Sequence, residues 1–117
     1  MRTLTRALAA IILAGAATCH AQSTVYVWGA GSGTCGEWLE KAKDEWPRAQ
    51  RTDWILGFLT SYNYYQSSRQ VSPPDRASVS AWIDKYCRDN PLHRQFMAAA
   101  ELLQELGGPK ASHEWKR

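Results

Sequence analysis

This chain reads as an all-α protein, a small four-helix bundle with one disulfide, preceded by a short extended N-terminal arm. Three observations predict this. Between residues 34 and 106, apolar side chains recur at steps of three and four, the spacing that gathers them on one face of a helix. Capping and breaking residues punctuate those stretches at Thr34, Pro47, Ser72-Pro73-Pro74-Asp75, Asn90-Pro91 and Gly107-Gly108-Pro109. Two cysteines, Cys35 and Cys87, remain once a leader-like N-terminus is set aside.

That N-terminus has a basic head at Arg2 and Arg6, an uncharged apolar run from Ala7 to Ala17, and small residues up to Ala21. This is the anatomy of a secretory signal peptide, too short and wrongly flanked for a spanning helix. Cleavage after Ala21 leaves residues 22–117. Lipid attachment at Cys19 is the alternative, and Thr18 is a poor residue to precede it. No other apolar run approaches the ~20 residues needed to cross a bilayer. The expected organisation is a cleaved signal peptide at 1–21, an extended arm and Gly-rich loop at 22–33, a helical domain at 34–108 and a polar tail at 109–117.

Ser23 to Trp28 is rich in β-formers, but no second strand is evident, so an arm lying on the core is as good a reading as a sheet. Gly29 to Gly33 reads as a flexible loop. Thr34 and Glu37 have capping-box spacing and open a first helix carrying Trp38, Leu39, Ala42 and Trp46, which Pro47 ends or kinks. A second helix is expected from Pro47 to Gln66. Its face is Trp54, Phe58, Tyr62 and Tyr65, widened by Ile55 and Leu59, and Gly57 marks a close helix contact. Ser72 caps a third helix with Pro73 at its first position, and Val79, Trp82, Ile83, Tyr86 and Cys87 form its apolar stripe. Asn90 caps a fourth helix bearing Leu92, Phe96, Ala99, Leu103 and Leu106, terminated at Gly107.

In an exported chain an even cysteine count favours pairing over free thiols. A Cys35–Cys87 bridge would tie the start of the first helix to the end of the third. Loss of Arg2 and Arg6 reduces 14 basic residues to 12 against 11 acidic ones, a net charge of +1. A near-neutral chain without a basic block is a poor nucleic-acid binder.

Gly31-Ser32-Gly33-Thr34-Cys35-Gly36 spells G-x-G-x-x-G, with Asp53 at about the dinucleotide-fold distance. Asp53 precedes a helical run, no second parallel strand follows, and Cys35 is committed elsewhere, so a capped helix explains the motif better. His93 reads as a boundary residue of the last helix. Asp84 and Arg88 read as a surface pair four residues apart. Glu37 and Glu40 are the carboxylates nearest a glycosidase-like pair, but Glu37 is already used as a cap. No residue is assigned a catalytic role, no cofactor is implied, and no ligand spacing suggests a metal. The 6 tryptophans and 5 tyrosines are the unusual component, with most of them on inner faces. Leu56 and Tyr64 project away from the Trp54–Phe58–Tyr62 face, and Met97 and Leu102 flank the inner stripe of the last helix. They form either a second packing surface within the bundle or a partner-binding patch.

The segments WILGFLTSYN (54–63), WIDKYCRDNP (82–91) and AAAELL (98–103) resemble the HdeA/HdeB acid-stress chaperones and the related Tai-type immunity proteins of bacterial toxin secretion. Both groups are small exported helical proteins with disulfides. The resemblance spans about residues 34–106. This chain departs from the immunity proteins in having two cysteines rather than four, and from the chaperones in its tryptophan load and long aromatic second helix. It implies an exported, non-enzymatic protein-binding module, periplasmic or secreted, whose partner is an unfolded client or a toxin, with a homodimer as a further option. A small periplasmic hydrolase is the alternative from another class. The chaperone expectation has a physical basis in charge. Protonating 11 carboxylates and the two histidines that follow the leader, His93 and His113, raises the net charge from +1 to +14, and self-repulsion loosens the fold.

Overall fold

The fold comes from a computed structural model, and the structure describes residues 25–73 and 75–110. The leader, the start of the arm, Pro74 and tail residues 111–117 lie outside the described residues. Within them, a 3-10 turn over Gly29–Ser32 precedes four α-helices: α1 (Cys35–Lys41), α2 (Glu45–Tyr65), α3 (Arg76–Asp89) and α4 (Gln95–Glu105). The described residues are all-helical, with one disulfide joining Cys35 and Cys87, Cα atoms 4.8 Å apart. Both cysteines are fully buried, and the bridge ties the first turn of α1 to the last turn of α3.

α1 opens on the expected capping box. The Glu37 amide donates to Thr34 Oγ1 at 3.1 Å, and the Thr34 amide donates to Glu37 Oε2 at 2.7 Å. Two further N-terminal donors are satisfied across the fold rather than within one helix. The Cys35 amide donates to the His93 carbonyl at 2.7 Å and the Gln95 amide to the Gly33 carbonyl at 2.8 Å, so the starts of α1 and α4 bond each other through one isolated antiparallel bridge. Gln95 is fully buried and its Nε2 donates to the Thr34 carbonyl at 3.2 Å, which fastens the same junction.

Several expected boundaries move. The break between the first two helices falls at residues 42–44, and Pro47 sits inside the first turn of α2, where a missing N–H costs nothing. Trp46 therefore belongs to α2 and is 72% exposed. The cap of α3 is Asp75, whose side chain accepts from the Ser78 amide at 2.8 Å, in place of Ser72. Asn90 does end α3, its amide donating to the Tyr86 carbonyl, but α4 begins only at Gln95 with Arg94 as N-cap. Leu92 lies in the intervening turn and is 90% exposed. Gly57 is exposed and no helix approaches it, since a Cβ there would meet nothing within 4 Å.

The close backbone approach occurs at Gly31 instead. This glycine is buried in the 3-10 turn, and the Trp54 ring occupies the space a Cβ would need. The expected flexible loop is thus a packed element resting on α2. Val25–Trp28 is an extended arm, anchored by Trp54 Nε1 donating to the Trp28 carbonyl at 2.9 Å, with the Trp28 and Tyr26 side chains left exposed.

The core comprises Trp38 of α1, Ile55 and Leu59 of α2, Val79, Ile83 and Cys87 of α3, and Ala98, Ala99, Leu102 and Leu103 of α4. The buried stripe of α2 runs through Thr52, Ile55 and Leu59, while Trp54, Phe58 and Tyr62 flank it half-buried and Tyr65 is exposed. Thr52 is tolerated there because its hydroxyl donates to the Arg48 carbonyl at 2.9 Å. No helix among the described residues is long and apolar enough to cross a membrane.

Candidate functional site

A concavity lies between the C-terminal half of α2 and the C-terminal end of α4. It is a groove of about 650 Å³ lined by apolar and aromatic side chains (Phe58, Tyr62, Tyr65, Leu103 and Pro109) with Ser61, Gln66 and Arg69. Local sequence rules shape each wall. α4 ends on a left-handed glycine, Gly107, with φ +96°. Its amide donates to the Gln104 carbonyl at 3.0 Å, and the Gly108 amide donates to the Leu103 carbonyl at 2.8 Å. This is the Schellman pattern, and it turns the chain so that Pro109 faces the groove. Gly108 packs directly on Leu103, leaving no space for a Cβ.

The opposite rim is held by Asn63. Its Nδ2 donates to the Val71 carbonyl and its Oδ1 accepts from the Val71 amide, both at 2.8 Å. With Val71 buried, this two-way clamp pins the α2–α3 connection and sets the backbone that carries Arg69. The Arg69 amide also donates to the Gln66 carbonyl at 2.9 Å. Among the described residues, Arg69 alone is charged in the lining, and its guanidinium has no carboxylate partner. Among the described residues, the lining can bury an apolar group beside an anion.

A second polar feature binds the helices together. Asp84 of α3 accepts from Trp38 Nε1 of α1 at 2.7 Å, and its carboxylate takes both arms of Arg48 from α2, at 2.7 and 3.3 Å. Arg48 also donates to the Ala42 carbonyl at 3.4 Å, at the end of α1. The expected Asp84–Arg88 surface pair is thus replaced by a half-buried tie between three helices. His93 stands in the α3–α4 connection, where Nδ1 and the Tyr86 hydroxyl share a hydrogen bond of 2.7 Å and the rings lie 5.8 Å apart.

Leu56, Tyr64, Met97 and Leu102, expected as a second packing surface or a partner-binding patch, divide between core and surface. Leu102 is 3% exposed and belongs to the core, and Leu56 packs half-buried against it. Met97 is also half-buried. Tyr64 is 76% exposed and meets Tyr65 edge-on at 5.1 Å, beside the groove. Intramolecular packing therefore accounts for Leu102 and Leu56, and Tyr64 remains on the surface. The sequence signal that marks the groove is Tyr62, Tyr64 and Tyr65 and, across the fold, the Gly-Gly-Pro stop. Among the described residues, no group of three histidine, cysteine or carboxylate side chains is placed to hold a metal. Set against family models, curated proteins and solved structures, the chain matches none of them.

Proposed function

We propose that this chain is an exported, non-enzymatic protein-binding module of the periplasm, acting as an acid-stress chaperone. The aromatic groove with the Arg69 guanidinium at its edge supports the binding half of this reading, because tyrosine and arginine contribute disproportionately to protein recognition. The disulfide and the absence of a membrane-crossing helix among the described residues are compatible with export.

The acid half is supported by the charge balance. Acid removes negative charge from the chain's 11 carboxylates as a class and leaves its basic residues repelling one another, which loosens the packing of the helices. Trp38 and the faces of α2 would open towards clients, and the buried disulfide would keep α1 and α3 attached. Light scattering of an aggregation-prone client, acidified with and without the protein, should show suppressed aggregation. Scattering unchanged by the protein at that pH would sink the chaperone reading.

A second reading, neutralisation of one secreted toxin, is favoured by the groove being formed in the folded state. It predicts a stable complex with that toxin on gel filtration at neutral pH, with no requirement for acid.

A further inference from the structure

Resting on the protein-binding reading, we infer that the α2–α4 groove is a docking subsite for a protein segment in which a large apolar side chain is followed directly by a carboxylate. The apolar side chain enters between Phe58, Tyr62 and Leu103, and the carboxylate meets Arg69. A volume of about 650 Å³ is within the range of sites that enclose an organic group of this size. Its floor offers aromatic faces and an aliphatic side chain, which suits leucine or phenylalanine rather than a polar residue.

The charge decides the rest. Among the described residues, Arg69 is the one ionised group lining the groove, and no carboxylate pairs with it. A planar guanidinium beside an apolar pocket matches a carboxylate with two parallel hydrogen bonds. The backbone that carries it is fixed by the Asn63–Val71 clamp, so little ordering is left to binding except the Arg69 side chain itself. A lone cation on an apolar floor is the wrong footprint for nucleic acid, which needs several phosphate contacts. Tyr64 and Tyr65, both more than three-quarters exposed, extend the aromatic surface beyond the mouth for the flanking residues of the segment.

The test uses the full-length oxidised protein at neutral pH and amide chemical shifts. The probe is an acetylated pentapeptide amide of glycine, leucine, phenylalanine, aspartate and glycine, compared with the same peptide carrying asparagine for aspartate. The aspartate peptide should shift amides at Phe58, Tyr62, Gln66, Arg69, Leu103 and Gly107. It should bind about threefold more tightly than the asparagine peptide, the scale of an exposed ion pair. Arg69→Gln, at an exposed position, should abolish that difference and leave residual binding of both peptides.

Absence of shifts at those amides overturns the proposal, and so does equal affinity of the two peptides for the unaltered protein. Groove shifts that appear on raising protein concentration without peptide would assign the surface to a second copy and overturn it. Peptide binding that emerges only in Trp115→Ala would assign the groove to the chain's own tail, with the same consequence. Peptide binding with no protection of clients in acid would remove the chaperone reading alone, and the reverse result would remove the groove proposal alone.

Discussion

Arg48 and Asp84 meet across α2 and α3 with a closest approach of 2.7 Å, and the same carboxylate receives the indole N–H of Trp38 from α1. One side chain on α3 therefore orients two other helices. Asp84→Ala leaves a guanidinium and a mostly buried indole N–H without their acceptor, while the partial exposure of Arg48 lets water take up some of the loss. The expected cost is about 1–3 kcal/mol. Trp38→Phe keeps most of the packing and removes one hydrogen bond, for about 1 kcal/mol. Urea unfolding of both variants and the double variant should give a coupling energy clearly above zero, since the pair is in contact. An Asp84→Ala protein as stable as the parent would show that the tie is decorative.

Gly31 and Gly57 make opposite predictions. A Cβ at Gly31 would overlap the Trp54 ring, so Gly31→Ala forces the 3-10 turn off α2 or the ring out of its place, for about 1–3 kcal/mol. Gly57 is an exposed helix-interior glycine facing open space, so Gly57→Ala should stabilise by about 0.5–1 kcal/mol. Thermal melts followed by near-ultraviolet circular dichroism would report both, because the Gly31 variant should also change the Trp54 signal.

The Cys35–Cys87 bridge spans 52 positions, and both sulfur atoms are shielded from solvent. The chain-entropy relation gives about 4 kcal/mol for a loop of that length, which is comparable with the whole net stability of a small domain. The folded protein should resist dithiothreitol and become reducible only with denaturant. Mass spectrometry after thiol alkylation measures this directly. The Cys35→Ala/Cys87→Ala double variant should unfold at markedly lower urea concentration than the parent. Ready alkylation of either cysteine in the native state would contradict the buried bridge.

What sequence made legible here was local, or was set by the cysteine count. The Thr34–Glu37 capping box and the Gly107-Gly108 helix stop each depend on residues within one turn, so spacing alone revealed them. The stripe Val79, Ile83, Cys87 was visible because every member is apolar. The buried faces of α2 and α4 were read slightly rotated because each includes a polar residue that hydrophobic periodicity cannot count. Thr52 and Gln95 are both fully buried, and each hydrogen-bonds to a backbone carbonyl. Turning the α4 face towards Gln95 also moves Leu102 from the flank of the stripe into the core. Asp84 was matched to its nearest sequence neighbour of opposite charge, whereas its partner lies 36 positions away. The groove was invisible for the same reason, since its walls come from residues 58–69 and 103–109, which are distant in sequence. Its aromatic residues stood out, whereas Arg69 carried no sequence signal.

Asp75 carries the pH dependence whose sign the structure fixes. Its carboxyl is held below its ordinary value first by the hydrogen bond from the Ser78 hydroxyl, at 2.7 Å, and then by the Ser78 amide at 2.8 Å. A depressed value means that the folded state prefers the carboxylate. The stabilisation is therefore complete above the unfolded aspartate range and is lost as pH falls through the folded-state value. Ser78→Ala removes the largest cause while keeping the amide, so the Asp75 titration should move up towards the ordinary value without reaching it. Asp75→Asn should weaken the start of α3 at neutral pH and make its stability less sensitive to acid. Carbon-detected titration of the Asp75 carboxyl in the parent and in Ser78→Ala decides the matter, because an unchanged midpoint would show that the hydroxyl bond does not hold the cap.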